Sequence, residues 1–130
     1  MIPEHYESDI LFFFDGKPVA LGLYETFARK LLALFPDVGI RVQKTQITFT
    51  NPRVFACVSM ARVRSAKRRP KEYIVVTLGL GERLESSRVD AATEPYPGRW
   101  TNHILISQPE ELDDELMGWV QAAYTFSATK

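Results

Sequence analysis

Residues 38–61 read VGIRVQKTQITFTNPRVFACVSMA. Val38, Ile40 and Val42 alternate with Gly39, Arg41 and Gln43, the period-two pattern of a half-buried strand. Lys44-Thr45 makes a bend, and Gln46-Ile47-Thr48-Phe49-Thr50 alternates again. Asn51-Pro52-Arg53 is the next turn. Val54 to Ala61 is apolar on both faces, which suits a strand in the middle of a sheet. A parallel crossover needs about a dozen residues or more, so connections this short make successive strands antiparallel.

On the N-terminal side, Met1 to Glu7 is a polar, frayed lead-in. Ser8 is placed to cap a short helix through Phe14. Phe12, Phe13 and Phe14 are consecutive, so at least one points away from the main core, toward a later element or another subunit. Asp15-Gly16-Lys17-Pro18 is a turn, and Pro18 suits the start of a long helix reaching about Phe35. Ala20, Tyr24, Phe27, Ala28, Leu31, Leu34 and Phe35 form its apolar stripe. Pro36 and Asp37 end it.

On the C-terminal side, residues 62–71 carry six basic side chains and no acid: Arg62, Arg64, Lys67, Arg68, Arg69 and Lys71. They lie between two strands and read as a protruding hairpin loop. Glu72 to Leu80 is an apolar strand that Gly79 and Gly81 interrupt. Glu82 to Glu94 is polar and irregular, with a short strand near Val89 to Thr93. In Pro95-Tyr96-Pro97-Gly98, two prolines and a glycine make a stiff turn that presents Tyr96, Arg99 and Trp100. A strand follows, with Asn102, Ile104 and Ile106 on one face and Thr101, His103 and Leu105 on the other. Ser107-Gln108-Pro109-Glu110 has the form of a capping box with Ser107 at the N-cap. The last helix buries Leu112, Leu116, Val120 and Ala123, with Trp119 and Tyr124 flanking. The acids Glu110, Glu111, Asp113, Asp114 and Glu115 at its start match the helix dipole and read as a solvated face. The expected fold class is α+β: a mostly antiparallel sheet of about five strands with N-terminal and C-terminal helices packed on it.

The chain has 130 residues, the size of one domain, so 1–130 is read as a single unit. Formal net charge is zero, so no global field argues for nucleic acid or a membrane surface. Ile10 to Phe14 is too short to span a bilayer, and the acidic N-terminus lacks a signal-peptide pattern. A cytoplasmic, bacterial-type protein is the default. Cys57, the one cysteine, sits in an apolar run and reads as a buried small hydrophobe. No P-loop is present, and Gly79-Leu80-Gly81 lacks the rest of a dinucleotide fingerprint. One cysteine and two histidines, His5 and His103, do not make a zinc pattern. No nucleophile elbow accompanies His103. No cofactor and no metal is implied, no catalytic residue is assigned, and enzymatic function is not favoured.

LYETFARKLLALFPDVGIRVQKTQITFTNPRVFACV and PYPGRWTNHILISQPEELDDELMGWVQAAY together resemble a bacterial family of small domains of unknown function. The shared motifs are an LYE helix at Leu23-Tyr24-Glu25, V-x-K-T-Q at Val42 to Gln46, Phe55-Ala56, PGRW-x-x-H at Pro97 to His103, and a closing Asp113-Asp114-Glu115, Trp119, Ala123-Tyr124 helix. The pattern is broadly similar to YdhG-like small α+β domains. Relatives carry two histidines after the tryptophan; Asn102 stands in the first place here, which argues against a paired-histidine site. The resemblance implies a fold and no activity.

The candidate ligand surface combines Arg41, Lys44 and Thr45 with Tyr96, Arg99, Trp100 and His103. Arg41, Lys44 and Arg99 would hold an anionic group, and Tyr96 or Trp100 would offer a stacking face. Such a module binds an anionic or aromatic small ligand, or a protein partner. Trp100 and His103 also have a structural role open to them, since large aromatics are mostly core and a lone histidine assigns no function. Nucleic-acid binding through Arg62, Arg64, Lys67, Arg68, Arg69 and Lys71 is the alternative. A homodimer built on Phe12–Phe14 is the third hypothesis, and an uncharacterised enzyme the fourth.

Overall fold

A computed structural model describes residues 3–51 and 53–129. Helix α1 spans Tyr6–Phe13, so Tyr6 and Glu7, expected in the lead-in, are helical. His5, not Ser8, stands at its N-cap; Ser8 lies inside the helix and its hydroxyl donates to the His5 carbonyl at 3.1 Å. Gly16 takes a positive φ of 73° in the turn that follows. Helix α2 runs Pro18–Leu34 and buries Ala20, Leu23, Tyr24, Phe27, Ala28 and Leu31. Leu34, expected on that stripe, is 45% exposed because it is the last helical residue. Phe35 leaves the helix and stacks on Tyr124 with ring centroids 3.8 Å apart. Lys17 cannot cap α2, and Glu72 does so from afar: its Oε1 accepts the Val19 N–H at 2.9 Å and the Ala20 N–H at 3.3 Å.

Six strands follow: β1 Gly39–Val42, β2 Ile47–Thr50, β3 Val54–Ser59, β4 Ile74–Leu80, β5 Ala91–Tyr96 and β6 Arg99–Ile106. They form one antiparallel sheet in the order β1-β2-β3-β4-β6-β5. The expected number was about five. The short strand expected near Val89 to Thr93 is β5, displaced toward the C-terminus: it starts at Ala91 and runs on through Pro95 to Tyr96. An edge strand tolerates proline because one row of its N–H groups has no partner strand. Gly79 does not break β4, which continues to Leu80. Asn51 and Arg53 close the β2–β3 turn through a backbone bond at 2.9 Å; Pro52 lies outside the described residues.

Register sorts the two faces. Ile40, Phe49, Ala56, Leu78 and Asn102 occupy one cross-strand row, facing α2 and the last helix, α3 (Asp114–Ala128). Arg41, Thr48, Cys57, Thr77, His103 and Ala91 occupy the next row, on the opposite, open face. Cys57 is therefore a half-buried residue of the open face and not part of the main core.

The capping box before α3 is shifted by one residue. Gln108 is the N-cap of a short 3-10 turn, Pro109–Glu111, and the Glu111 carboxylate accepts both the Ser107 and Gln108 N–H groups, at 2.8 and 3.0 Å. Asp113 caps α3 itself by accepting from the Leu116 N–H at 3.0 Å. Leu112, Leu116, Val120 and Ala123 are buried as expected, joined by Met117 and Ser127. Asp113 and Glu115 are not merely solvated: Arg88 pairs with both, at 2.9 and 3.0 Å, and lies over the Trp119 ring.

Candidate functional site

Strand β4 reads Ile74-Val75-Val76-Thr77-Leu78-Gly79-Leu80. Its even-numbered residues enter the core, so Val75, Thr77 and Gly79 face the open side. Strand β6 answers with Leu105, His103 and Thr101. Thr77 and His103 are direct cross-strand partners, and their Oγ1 and Nδ1 atoms lie 2.8 Å apart. Burial pushes the His103 pKa below its ordinary value of 6.5, so the ring is neutral at neutral pH. A neutral imidazole held through Nδ1 leaves Nε2 as its second hydrogen-bonding atom.

A cavity of about 800 Å³ opens over this pair. Lys44, Thr45 and Gln46 of the β1–β2 turn form one wall, with Ser59 beside them. The chain leaving β3, Met60 to Val63, forms another, and Ala91 and Thr93 of β5 a third. Two devices fix the second wall. The Tyr73 hydroxyl engages the Met60 and Ala61 carbonyls at 3.2 and 3.0 Å. Asp90 accepts from Arg64 Nε at 2.7 Å with one oxygen and from the Leu105 N–H at 2.8 Å with the other. Beneath the loop, Val63 packs on Tyr73, Val75 and Leu105 as a small second core. The lining carries Lys44, Arg62, His103 and the hydroxyls of Thr45, Ser59, Thr77 and Thr93, and no carboxylate. It suits an anion with several hydrogen-bond acceptors.

Beyond this cavity on the same face lies Arg99. An ideal Cβ at Gly79 would stand 2.6 Å from Arg99 Nη2 and 2.7 Å from Cζ, so the guanidinium rests flat on the bare backbone of β4. No carboxylate among the described residues pairs with it. It tempers Cys57: burial raises the thiol pKa, and the Arg99 charge pulls it part of the way back. A thiol raised overall is a poor nucleophile at neutral pH.

The seven candidate residues do not form one cluster. Lys44, Thr45 and His103 line the same cavity. Arg41 shares the open face but stands on the edge strand β1, over a separate depression of about 390 Å³. The β1–β2 turn lies beside the end of β3, while the β5–β6 turn lies beside the end of β4, so the two turns occupy opposite corners of the sheet. Tyr96 is therefore remote from Lys44, at that far hairpin and 57% exposed. Trp100 pairs with Leu80 on the helix-bearing face, so it offers no stacking surface to the cavity. Ser59, Arg62, Thr77 and Thr93 also line the cavity and do not belong to the candidate ligand surface read from the sequence. Thr77 had a signal: it is the one hydroxyl in an otherwise apolar run from Ile74 to Leu80. Among the described residues no three His, Cys, Asp or Glu side chains gather as a metal site requires, and no helix is long and apolar enough to cross a membrane.

Residues 12–127 match the family described as Domain of unknown function (DUF5655). The chain belongs to this family. No curated protein and no solved structure matches it. The DUF5655 match runs from the end of α1 to the last turn of α3 and takes in all six strands and the cavity.

Proposed function

We propose that this DUF5655 protein is a cytoplasmic bacterial binding module for a small anionic ligand, held on the open face of the sheet over Thr77 and His103. Its kinship with YdhG-like domains is part of the same proposal. One observation carries it: an 800 Å³ cavity whose described lining residues include Lys44, Arg62, a neutral histidine and four hydroxyls and no carboxylate. That volume is within the usual range of about 300–1,000 Å³ for ligand pockets. Lys44 and Arg62 supply charge, Thr77 and His103 supply directional hydrogen bonds, and the small second core under residues 61–73 supplies a fixed wall. Native mass spectrometry of gently desalted protein tests the proposal. Wild type retains an acidic small molecule, and a Lys44→Ala/His103→Ala double variant loses it. Equal retention by the variant, or no binding by wild type from a panel of carboxylates and phosphates, overturns it.

Nucleic-acid binding has one observation in its favour: Arg62, Lys67, Arg68, Arg69 and Lys71 form no ion pair among the described residues. Arg64, by contrast, is engaged by Asp90. Against it, Phe13 is the one phenyl ring among the described residues lining the larger cavity, too few for a row of stacked bases. Binding through the loop would weaken steeply with salt. A homodimer is supported by Phe12, 85% exposed on α1, and predicts that Phe12→Asp changes the mass in solution.

A further inference from the structure

A second cavity, about 240 Å³, lies where β3 leaves the sheet and β4 enters it. Lys17, Arg62, Arg69 and Lys71 line it. Its only carboxylate, Glu72, is engaged with the N–H groups of Val19 and Ala20 at the start of α2. None of the four cations forms an ion pair among the described residues. Four cations outnumber the single Glu72 carboxylate in the lining, and an anion among them would offset that excess of positive charge. The walls are held in place: Arg69 Nη1 donates to the Arg64 carbonyl at 3.4 Å, Arg64 is fixed by Asp90, and the Tyr73 hydroxyl ties the start of the loop. Lys67 and Arg68, the other two cations of the loop, do not line the cavity.

Met60 and Arg62 line both this cavity and the larger one over Thr77–His103, so the two adjoin. At 240 Å³ the smaller falls below the range of about 300–1,000 Å³ usual for a whole ligand. We propose that Lys17, Arg62, Arg69 and Lys71 receive the phosphoryl group of a small phosphorylated ligand whose remaining body lies in the larger cavity. This rests on the function proposed above and names its ligand class. Two guanidinium and two ammonium side chains around one small cavity suit a dianionic, tetrahedral group with several acceptor oxygens. A nucleic-acid backbone is less well matched. The pocket is small, and Tyr73, the one aromatic among its described lining residues, is buried with its hydroxyl engaged.

The test is an amide-resolved NMR titration of the full chain with inorganic phosphate, AMP and citrate, alongside a 20-nucleotide single-stranded DNA at two salt concentrations. Phosphate and AMP should both shift the amides of Arg62, Arg69, Lys71 and Glu72, and AMP should also shift Thr77 and His103. Arg69→Gln/Lys71→Gln should weaken phosphate and AMP at least tenfold while leaving citrate at Lys44, Thr45 and Thr77 unchanged. Lys17→Gln, on a different element, should weaken phosphate in the same direction. If phosphate shifts only the larger cavity, the phosphoryl pocket is wrong and the anion-binding function stands. If no anion shifts either cavity, both are wrong. DNA bound more tightly than AMP, with a steep salt dependence, would assign the cations to a nucleic acid and overturn the inference.

Discussion

Replacing Gly79 with alanine separates stability from the chemistry of the open face. The added Cβ would sit 2.6 Å from Arg99 Nη2, 2.7 Å from Cζ and 3.1 Å from Nη1. All three are atoms at the end of a flexible side chain, so the guanidinium swings away and the backbone stays. Gly79 has no positive φ to forbid a side chain. Alanine in a strand interior gains about 0.5–1 kcal/mol over glycine. Pushing Arg99 off its staggered rotamer costs about 0.5–1.5 kcal/mol. The two nearly cancel, so stability should change by no more than about 1 kcal/mol, or about 4 °C in Tm for a domain this size. The Cys57 thiol, however, loses the cation that draws its pKa down, so it should react more slowly with a disulfide reagent at pH 8. Urea unfolding and the rate of thiol modification read the two effects, with Arg99→Ala as the control for the second. A loss above about 3 kcal/mol would mean that the backbone itself needs glycine at this position. An unchanged thiol rate would mean that Arg99 does not lie over β4.

Asp90→Ala should cost about 2–4 kcal/mol in urea unfolding, because a carboxylate only 8% exposed holds both Arg64 and the Leu105 N–H; a loss under about 1 kcal/mol would contradict that role. Asn102 is fully buried, accepts from the Leu84 N–H at 3.0 Å and donates to the Glu82 carbonyl at 3.3 Å, so Asn102→Ala should cost about 1–3 kcal/mol and speed amide exchange at Leu84. His103 has a depressed pKa, so the unfolded chain binds its proton at a higher pH than the folded one. Its contribution to stability is complete above the ordinary value of 6.5 and is lost as pH falls from there through the folded-state value. His103→Asn should flatten the stability profile in that window, and an unflattened profile would place the titrating group elsewhere.

The helices were legible because their apolar spacing is long and regular, as the buried run from Ala20 to Leu31 illustrates. Antiparallel pairing was legible from short connections. The edge strand β5 was less so: Glu94 and Pro95 belong to a strand with one neighbour and a solvent-facing side, where pattern and propensity say little. The capping box slipped by one residue because Glu111, not Glu110, has the reach to take both the Ser107 and Gln108 N–H groups. Phe12, Phe13 and Phe14 divide between solvent, a partly buried edge and the core, as consecutive residues at the end of a helix point in different directions. The candidate site was half legible. Polar residues at the two turns stood out, but strand order decided which of them meet. Insertion of β6 between β4 and β5 brings His103 beside Thr77 and carries Tyr96 to the far corner. Neither the partnership nor the separation is encoded in local spacing. Gly79, read as a strand breaker, is the platform on which Arg99 rests.

Binding of a small anion on the open face is tested most directly by an amide-resolved NMR titration of the unmodified protein with citrate. Saturable shifts confined to Lys44, Thr45, Ser59, Thr77 and His103, and lost in Lys44→Ala/His103→Ala, are the expected result. Shifts on α2 and α3, or none up to millimolar citrate and phosphate, would contradict it.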